Sequence, residues 1–350
     1  MFTVGSLEPD SQPSQGPSCS CQYDKVWVDL MILIESSDSI GDMGLQEVFG
    51  YVQTSLNMVN IQLANSTDPF HTRIGLVIYG AEPKLLASLG TLTGDQLQNY
   101  GELQFLGGDT ASIDKAMAVA FKDFDGPNRR KNARKIIALF ATSFNTMSDD
   151  ALERARDFEE DDGIMFVYNF VQEDSVPTLD LKDLATNGYF WDYSNDYKGE
   201  GLLVSLCNAN CYCPNDYASY EDNAVDGTPK AGCYYSVNTQ SNFRLAISRC
   251  QRYNNGSIAQ GKTQEKTNFL QSQFEFSNAR FWAGITWNAV DNSYVWMDGT
   301  PPWGATRVSG QDCVAIMNNA WMPMDCRVGY EYICEASPCD SLHYCEDEED

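Results

Sequence analysis

Acid–base and nucleophilic catalysis runs most often through histidine, and this 350-residue chain has two, His71 and His343. His71 precedes a strand-like run, and His343 stands between Cys339 and Cys345. Neither shows a serine or cysteine placed as a partner. Pairs of carboxylates carry no information, because 49 acidic residues bring many together by chance. Gly107-Gly108 lacks the lysine and the further glycine of a phosphate-binding loop. The residues point away from an enzyme.

The other reactive side chains are twelve cysteines: Cys19, Cys21, Cys207, Cys211, Cys213, Cys233, Cys250, Cys313, Cys326, Cys334, Cys339 and Cys345. An even number suits disulfides made in an oxidising compartment. Zinc is the weaker reading, since Cys211-Tyr-Cys213 has a single intervening residue and histidines are scarce. Spacing alone chooses no pairing. Sequons at Asn65-Ser-Thr and Asn255-Gly-Ser would accept glycans on a secreted chain. Residues 1–18 hold no apolar signal core, which favours either a processed or truncated form or a cytosolic protein. The cysteines outweigh that, so the expected place is extracellular, with the signal peptide not in this chain.

A net charge of −26 argues against nucleic acid, which needs a basic face to release counterions, and against anionic membranes. It reads as a solvated surface ahead of a specific cationic partner. No stretch nears the roughly 18 apolar residues of a membrane helix; the most apolar run, Val26–Ile34, is broken by Asp29. With 43% hydrophobic residues the chain can bury cores, and its length suits two domains.

The elements that must position these side chains alternate in the first half. Val26–Ile34 reads as a buried strand, and Val48, Val52, Leu56, Val59 and Leu63 recur as on one helix face. Strands follow at Arg73–Tyr79, Ile136–Ala141 and Ile164–Asn169, with helices at Ser112–Phe124 and, capped by Ser148, at Asp149–Glu159. Leu181–Ala185 and Gly199–Leu206 close the series as short helical pieces. The pattern implies an α/β doubly wound, mostly parallel sheet. At Cys207 cysteine, aromatic residues, glycine and asparagine increase, which marks a boundary near 207–213.

The loop after the first strand, Glu35-Ser36-Ser37-Asp38-Ser39, resembles the Asp-x-Ser-x-Ser signature of von Willebrand factor A domains, and the element order over roughly 24–206 is similar to theirs. The resemblance implies a Mg²⁺ or similar ion held by two serines, a threonine and two aspartates, with a ligand carboxylate completing the shell. Ser37 and Ser39 match the hydroxyls, and Thr110 in Gly107-Gly108-Asp109-Thr110 matches the second loop. The carboxylates depart: Glu35 stands at the first aspartate, and Thr142 replaces the other. Asp38 and Asp109 would compensate only in part. The expectation is a degenerate adhesion-type site in which Mg²⁺ is not obligatory.

From about 207 to 336 the motifs resemble a C-type-lectin-like domain, an α+β fold stapled by disulfides. They run Cys233-Tyr234-Tyr235, Ser248-Arg249-Cys250, Phe281-Trp282-Ala283-Gly284-Ile285, Trp296-Met297-Asp298-Gly299, Gln311-Asp312-Cys313 and Tyr330-Glu331-Tyr332-Ile333-Cys334-Glu335. The family's connectivity implies Cys213–Cys233, Cys250–Cys334 and Cys313–Cys326. Cys19, Cys21, Cys207 and Cys211 then remain to staple the ends of the first domain in an unassigned pairing, and Cys339 and Cys345 to close a local loop. Sugar-binding members hold Ca²⁺ through a Glu-Pro-Asn-type and a Trp-Asn-Asp triplet. Here the second reads Trp321-Met322-Pro323, and Thr300–Gly310 contains no Glu, Asp, Asn or Gln. Asp312 and Asp325 are too few, so Ca²⁺ is not expected. Trp303, Met322 and Met324 stand as candidate ligand contacts, although core packing is the commoner use of such residues.

The organisation read from the chain is a flexible leader at 1–18, an A-like domain at 19–211, a lectin-like domain at 212–336 and a cysteine-containing acidic tail at 337–350. Such a tandem looks like secreted nematode proteins, for which the resemblance implies recognition or adhesion, with innate defence as one role. Partners would be extracellular proteins or glycans. The alternatives are a calcium-dependent carbohydrate lectin, and a matrix or coat component that works as an oligomer through multivalency.

Overall fold

All seven residues of Asp29–Glu35 (β1) are buried, as happens only when both faces of a strand are covered. The computed structural model describes residues 19–142, 149–170, 179–193, 196, 200–220, 222, 225–274, 279–300, 308–317 and 320–346. The leader 1–18, Ser148, Trp303 and the acidic run past Glu346 lie outside the described residues.

After β1 come helix α1 (Gly41–Leu56), strands β2 (Arg73–Tyr79) and β3 (Pro83–Ala87), helices α2 (Gly94–Gln98) and α3 (Ile113–Phe124), then β4 (Lys135–Ala141). Helix α4 (Asp149–Glu160), β5 (Gly163–Asn169), a 3₁₀ turn at Leu179–Leu184, β6 (Phe190–Asp192) and α5 (Glu200–Ala209) complete the half. The sheet order is β3-β2-β1-β4-β5-β6, parallel except for the antiparallel β2–β3 pair. Alternation along β1 divides the core. Leu30, Ile32 and Ile34 face one cluster with Leu45, Val48 and Leu206, while Met31 and Leu33 face another with Met117, Ala120 and Phe158. This is a doubly wound sheet.

The second half supplies β7 (Ala218–Ser219), β8 (Cys233–Ser241), α6 (Phe243–Arg252), β9 (Ser257–Ile258), α7 (Gln264–Ser272) and β10 (Arg280–Asn288). Strands β11 (Ser293–Trp296), β12 (Cys313–Met317), β13 (Ala320–Met324) and β14 (Tyr330–Ala336) follow. The order β13-β12-β10-β14-β8-β7, with β11 on β10 and β9 on β14, describes one mixed sheet. Asn242 and Thr263 cap α6 and α7 with their side chains, leaving fewer orphan N–H groups at the helix starts. Fully buried Trp282 packs edge-on to Phe243 and Tyr330 and donates its indole N–H to Ser241 O at 2.8 Å.

Six disulfides join Cys19–Cys211, Cys21–Cys207, Cys213–Cys233, Cys250–Cys334, Cys313–Cys326 and Cys339–Cys345. The first two bring both ends of the A-like half together. Residues 337–346, within the stretch read as a cysteine-containing acidic tail, lie against the first half. Cys339 pairs with Tyr212 as an antiparallel bridge, and Tyr344 packs on Trp27.

Candidate functional site

Strands β1 and β4 end side by side, and this parallel pairing sets Glu35 next to the segment that leaves β4 at Thr142. Glu35 is fully buried. Its Oε1 accepts the Ser37 hydroxyl proton at 2.5 Å. Its Oε2 accepts the Thr142 backbone N–H at 2.7 Å and the Thr142 hydroxyl at 3.0 Å. Ser37 Oγ in turn accepts the Ser39 N–H at 3.2 Å. Burial, followed by the nearby Glu35 charge, pushes the Tyr79 phenol well above its usual value.

The second loop docks on the first through its own backbone groups. Ser36 Oγ accepts Leu106 N–H at 2.9 Å, Asp38 N–H donates to Gly108 O at 2.8 Å, and Asp38 Oδ1 accepts Gly108 N–H at 3.0 Å. Gly80 lies under this crossing, where a Cβ would come within 3.3 Å of Gly107 O. Ser39, Asp109 and Thr110 are exposed. The fold therefore gathers Glu35, Ser37 and Thr142 into one hydrogen-bonded group and leaves Ser39 and Thr110 on the surface above it. Sequence reasoning did not identify Ser36 as the anchor of the second loop, because nothing in the sequence sets it apart from the neighbouring Ser37 and Ser39.

This donor set does not fit a dication. A strongly hydrated Mg²⁺ needs hard oxygens with free lone pairs and charge to offset its own. Here the one buried carboxylate is already hydrogen-bonded by three protons. A neutral hydroxyl occupies the place of the second carboxylate. Among the described residues, no group of three or more His, Cys, Asp or Glu is placed to hold a metal.

In the lectin sheet the Trp321-Met322-Pro323 stretch lies on β13. Strand β13 pairs only with β12 among the described strands, with Met322 opposite Ala315 and Pro323 opposite Val314. Met322 is 45% exposed. Met324, two positions on along the same face of β13, is half-buried against the cluster of Cys313, Ala315 and Trp282. Trp321 is half-buried and edge-on to Trp296 at 5.2 Å. Asp325 is held below the usual carboxylate range by the Arg327 backbone N–H and then its guanidinium. Burial of Asp298 is outweighed by bonds from Lys262 and Thr300, and its carboxyl falls to about 2. A Ca²⁺ site does not fit these residues either.

The histidines are committed elsewhere. His71 is buried, with Nδ1–H donating to Asp68 O and Nε2 accepting from Arg73 Nε at 3.3 Å. Burial, then the Arg130 charge, lowers its pKa. His343 Nδ1 meets Asp340 Oδ1 at 3.0 Å. Asn65 and Asn255 are both exposed.

Comparison with known proteins matches the model of the von Willebrand factor type A domain to residues 29–198 and that of the lectin C-type domain to residues 239–336. C-type lectin domain-containing protein 160 of Caenorhabditis elegans is 21% identical over 366 residues, covering 93% of this chain and 56% of its own length. C-type lectin domain family 4 member M of Symphalangus syndactylus is 28% identical over 135 residues, 36% of this chain and 30% of its own. The chain thus spans about half of the first relative and under a third of the second. Human lithostathine, a solved structure, aligns over 36% of this chain and 99% of its own at 18% identity and a TM-score of 0.30.

Proposed function

The chain carries a von Willebrand factor type A domain followed by a C-type lectin domain, and on that premise we propose that it is an extracellular recognition protein without catalytic activity or an obligatory metal. Both domain types and the lectin relatives speak for a binding role. The observation that carries the metal-free reading is the closed Glu35–Ser37–Thr142 group. Its protons fill the positions through which an ion would be held, so the face above it meets a partner through the exposed Ser39, Asp109 and Thr110.

In the lectin domain the contact surface is the β13 edge with Met322, and Trp303 remains a candidate from the sequence alone. An exposed thioether adapts its shape to apolar partners. The ligands are proteins or glycoconjugates recognised by shape and hydrogen bonding. The disulfides favour an oxidising compartment, and the exposed Asn65 and Asn255 are glycan acceptors there. Protein and glycan arrays probed with the intact chain, with and without EDTA, test this reading. Binding that survives EDTA supports it; binding abolished by EDTA and restored by Ca²⁺ would establish the calcium-dependent lectin instead.

A further inference from the structure

The lectin domain begins and ends at the same place on the first domain. The chain leaves α5 through Cys211, and Tyr212 is the only residue before Cys213, which is tied to Cys233 inside the lectin half. After β14 the chain returns: Tyr212 N–H donates to Cys339 O at 3.3 Å, and Cys339 N–H donates back at 2.8 Å.

The next residues, closed by Cys339–Cys345, make their polar contacts with the first domain. Trp27 is fully buried, stacks at a tilt on Tyr344 at 4.5 Å and donates its indole N–H to Asp340 O at 2.8 Å. Ser20 N–H donates to Asp340 Oδ2 at 2.8 Å, and Gln22 N–H to Ser341 Oγ at 2.8 Å. Ser341 Oγ donates to Ser20 O at 2.7 Å, and Asn132 Nδ2 to Cys345 O at 2.6 Å. Phe70 lies edge-on to Tyr344 at 5.8 Å. Asp340 and Ser341 are buried polar residues, a burial tolerated because each is partnered. These contacts come from three separate stretches of the first domain, Ser20–Trp27, Phe70 and Asn132, so the loop is part of that domain's base although it follows the lectin sheet in sequence.

A cleft of about 1340 Å³ opens beside this junction, lined by Arg129, Arg134 and Tyr189 on one side and Pro214, Tyr217 and Asp226 on the other. Its far rim is pinned by Asn208 Nδ2 donating to Asp226 Oδ2 at 3.1 Å. Gly188, at φ +87°, meets Val225 there so closely that a Cβ would stand 2.6 Å from Val225 O.

We infer that residues 337–346 act as a strap: by docking non-covalently on Trp27 they hold the lectin domain to the first domain at a second stretch of chain, and so fix the angle between the domains and the width of the cleft. A single linker of one free residue would allow a swing about Tyr212; two antiparallel strands anchored by a disulfide loop do not. Motion between domains is the default unless such contacts tie them together.

Small-angle scattering and calorimetry on the full chain test the strap, comparing it with Cys339→Ser/Cys345→Ser and with Tyr344→Ala, which keeps all six disulfides. Expected for the unaltered chain is scattering described by one arrangement. Both variants should show a larger radius of gyration and a larger maximum dimension, together with a downward shift of the first domain's melting and an unmoved lectin transition. Tyr344→Ala decides alone if the cysteine variant does not fold. Folded variants whose scattering superimposes on that of the unaltered chain would overturn the strap, as would an unaltered chain that already needs several arrangements.

Discussion

In the first domain the residues of the metal loop stay in place and change partners; in the lectin domain the oxygen donors are missing. Glu35 and Thr142 show the first case. A glutamate is one methylene longer than aspartate, and that reach lets Glu35 span from the end of β1 to the N–H and hydroxyl of Thr142 beyond β4. The two departures are thus a matched pair: the longer acid needs the hydroxyl, and the hydroxyl cannot replace the second carboxylate. In the lectin domain Met322 and Pro323 have no such compensation. Pro323 is instead suited to the end position of β13 among the described strands, since proline in sheets is confined mainly to edge strands. On the metal-free reading proposed above, the first site is rewired (closed by its own hydrogen bonds) and the second emptied (short of donors), so they should respond differently to repair.

The largest separation between the halves concerns the disulfides. Replacing Cys250 and Cys334 with alanine opens a closure of 84 residues inside the lectin domain, at about 4–5 kcal/mol by chain entropy. Calorimetry should show that transition lost or strongly lowered and the first domain's transition retained. Equal effects on both would deny that they unfold as separate units.

Repair comes next. Glu35→Asp with Thr142→Asp should gain saturable Mg²⁺ binding, visible as about 2.7 kcal/mol of added stability when the ion is at a hundred times its Kd. Met322→Asn with Pro323→Asp should gain no Ca²⁺ binding, because the loop before β12 still offers no partner triplet. Calcium binding by that variant would erase the distinction between rewired and emptied.

Thr142→Val alone removes one hydroxyl donor from the buried Glu35 carboxylate, and a loss of about 1–3 kcal/mol is expected by urea unfolding. The serine variant at 142 should recover most of it. The smallest effect is that of pH on His71. Its folded pKa lies below the ordinary histidine value, so the unfolded chain takes up a proton first as pH falls. The contribution is complete above the ordinary value and is lost as pH falls through the lower, folded one. Thermal melts of the chain and of His71→Gln should therefore differ in pH slope only within that acidic window.

Much of the fold was legible because long apolar periods dominate it. Arg73–Tyr79 was read with its observed bounds, and the helix ending at Phe124 shows Ile113, Ala116, Met117, Ala120 and Phe124 buried at the expected spacing. The first strand starts at Asp29 rather than Val26, since Val26–Val28 are buried without joining the sheet. Val59 and Leu63 fall beyond the end of α1, which stops at Leu56. Strand β3 escaped notice because it is a short edge strand with two exposed residues and a leading proline, and α2 because a five-residue helix rests on its Thr93–Gln96 capping box more than on any period. At the site, the residue types were legible and the partners were not. That Glu35 would turn to Thr142, 107 positions away, depends on the β1–β4 register, which no local pattern contains. The docking of Tyr344 on Trp27 was hidden for the same reason.

Isothermal titration of Mg²⁺ and Ca²⁺ into the unaltered chain bears most directly on the claim of recognition without an obligatory metal. Expected are heats of dilution alone at millimolar ion, for both cations. One saturable site of micromolar affinity for Mg²⁺ would contradict the closed Glu35–Ser37–Thr142 group, and the same result for Ca²⁺ would contradict the emptied lectin site.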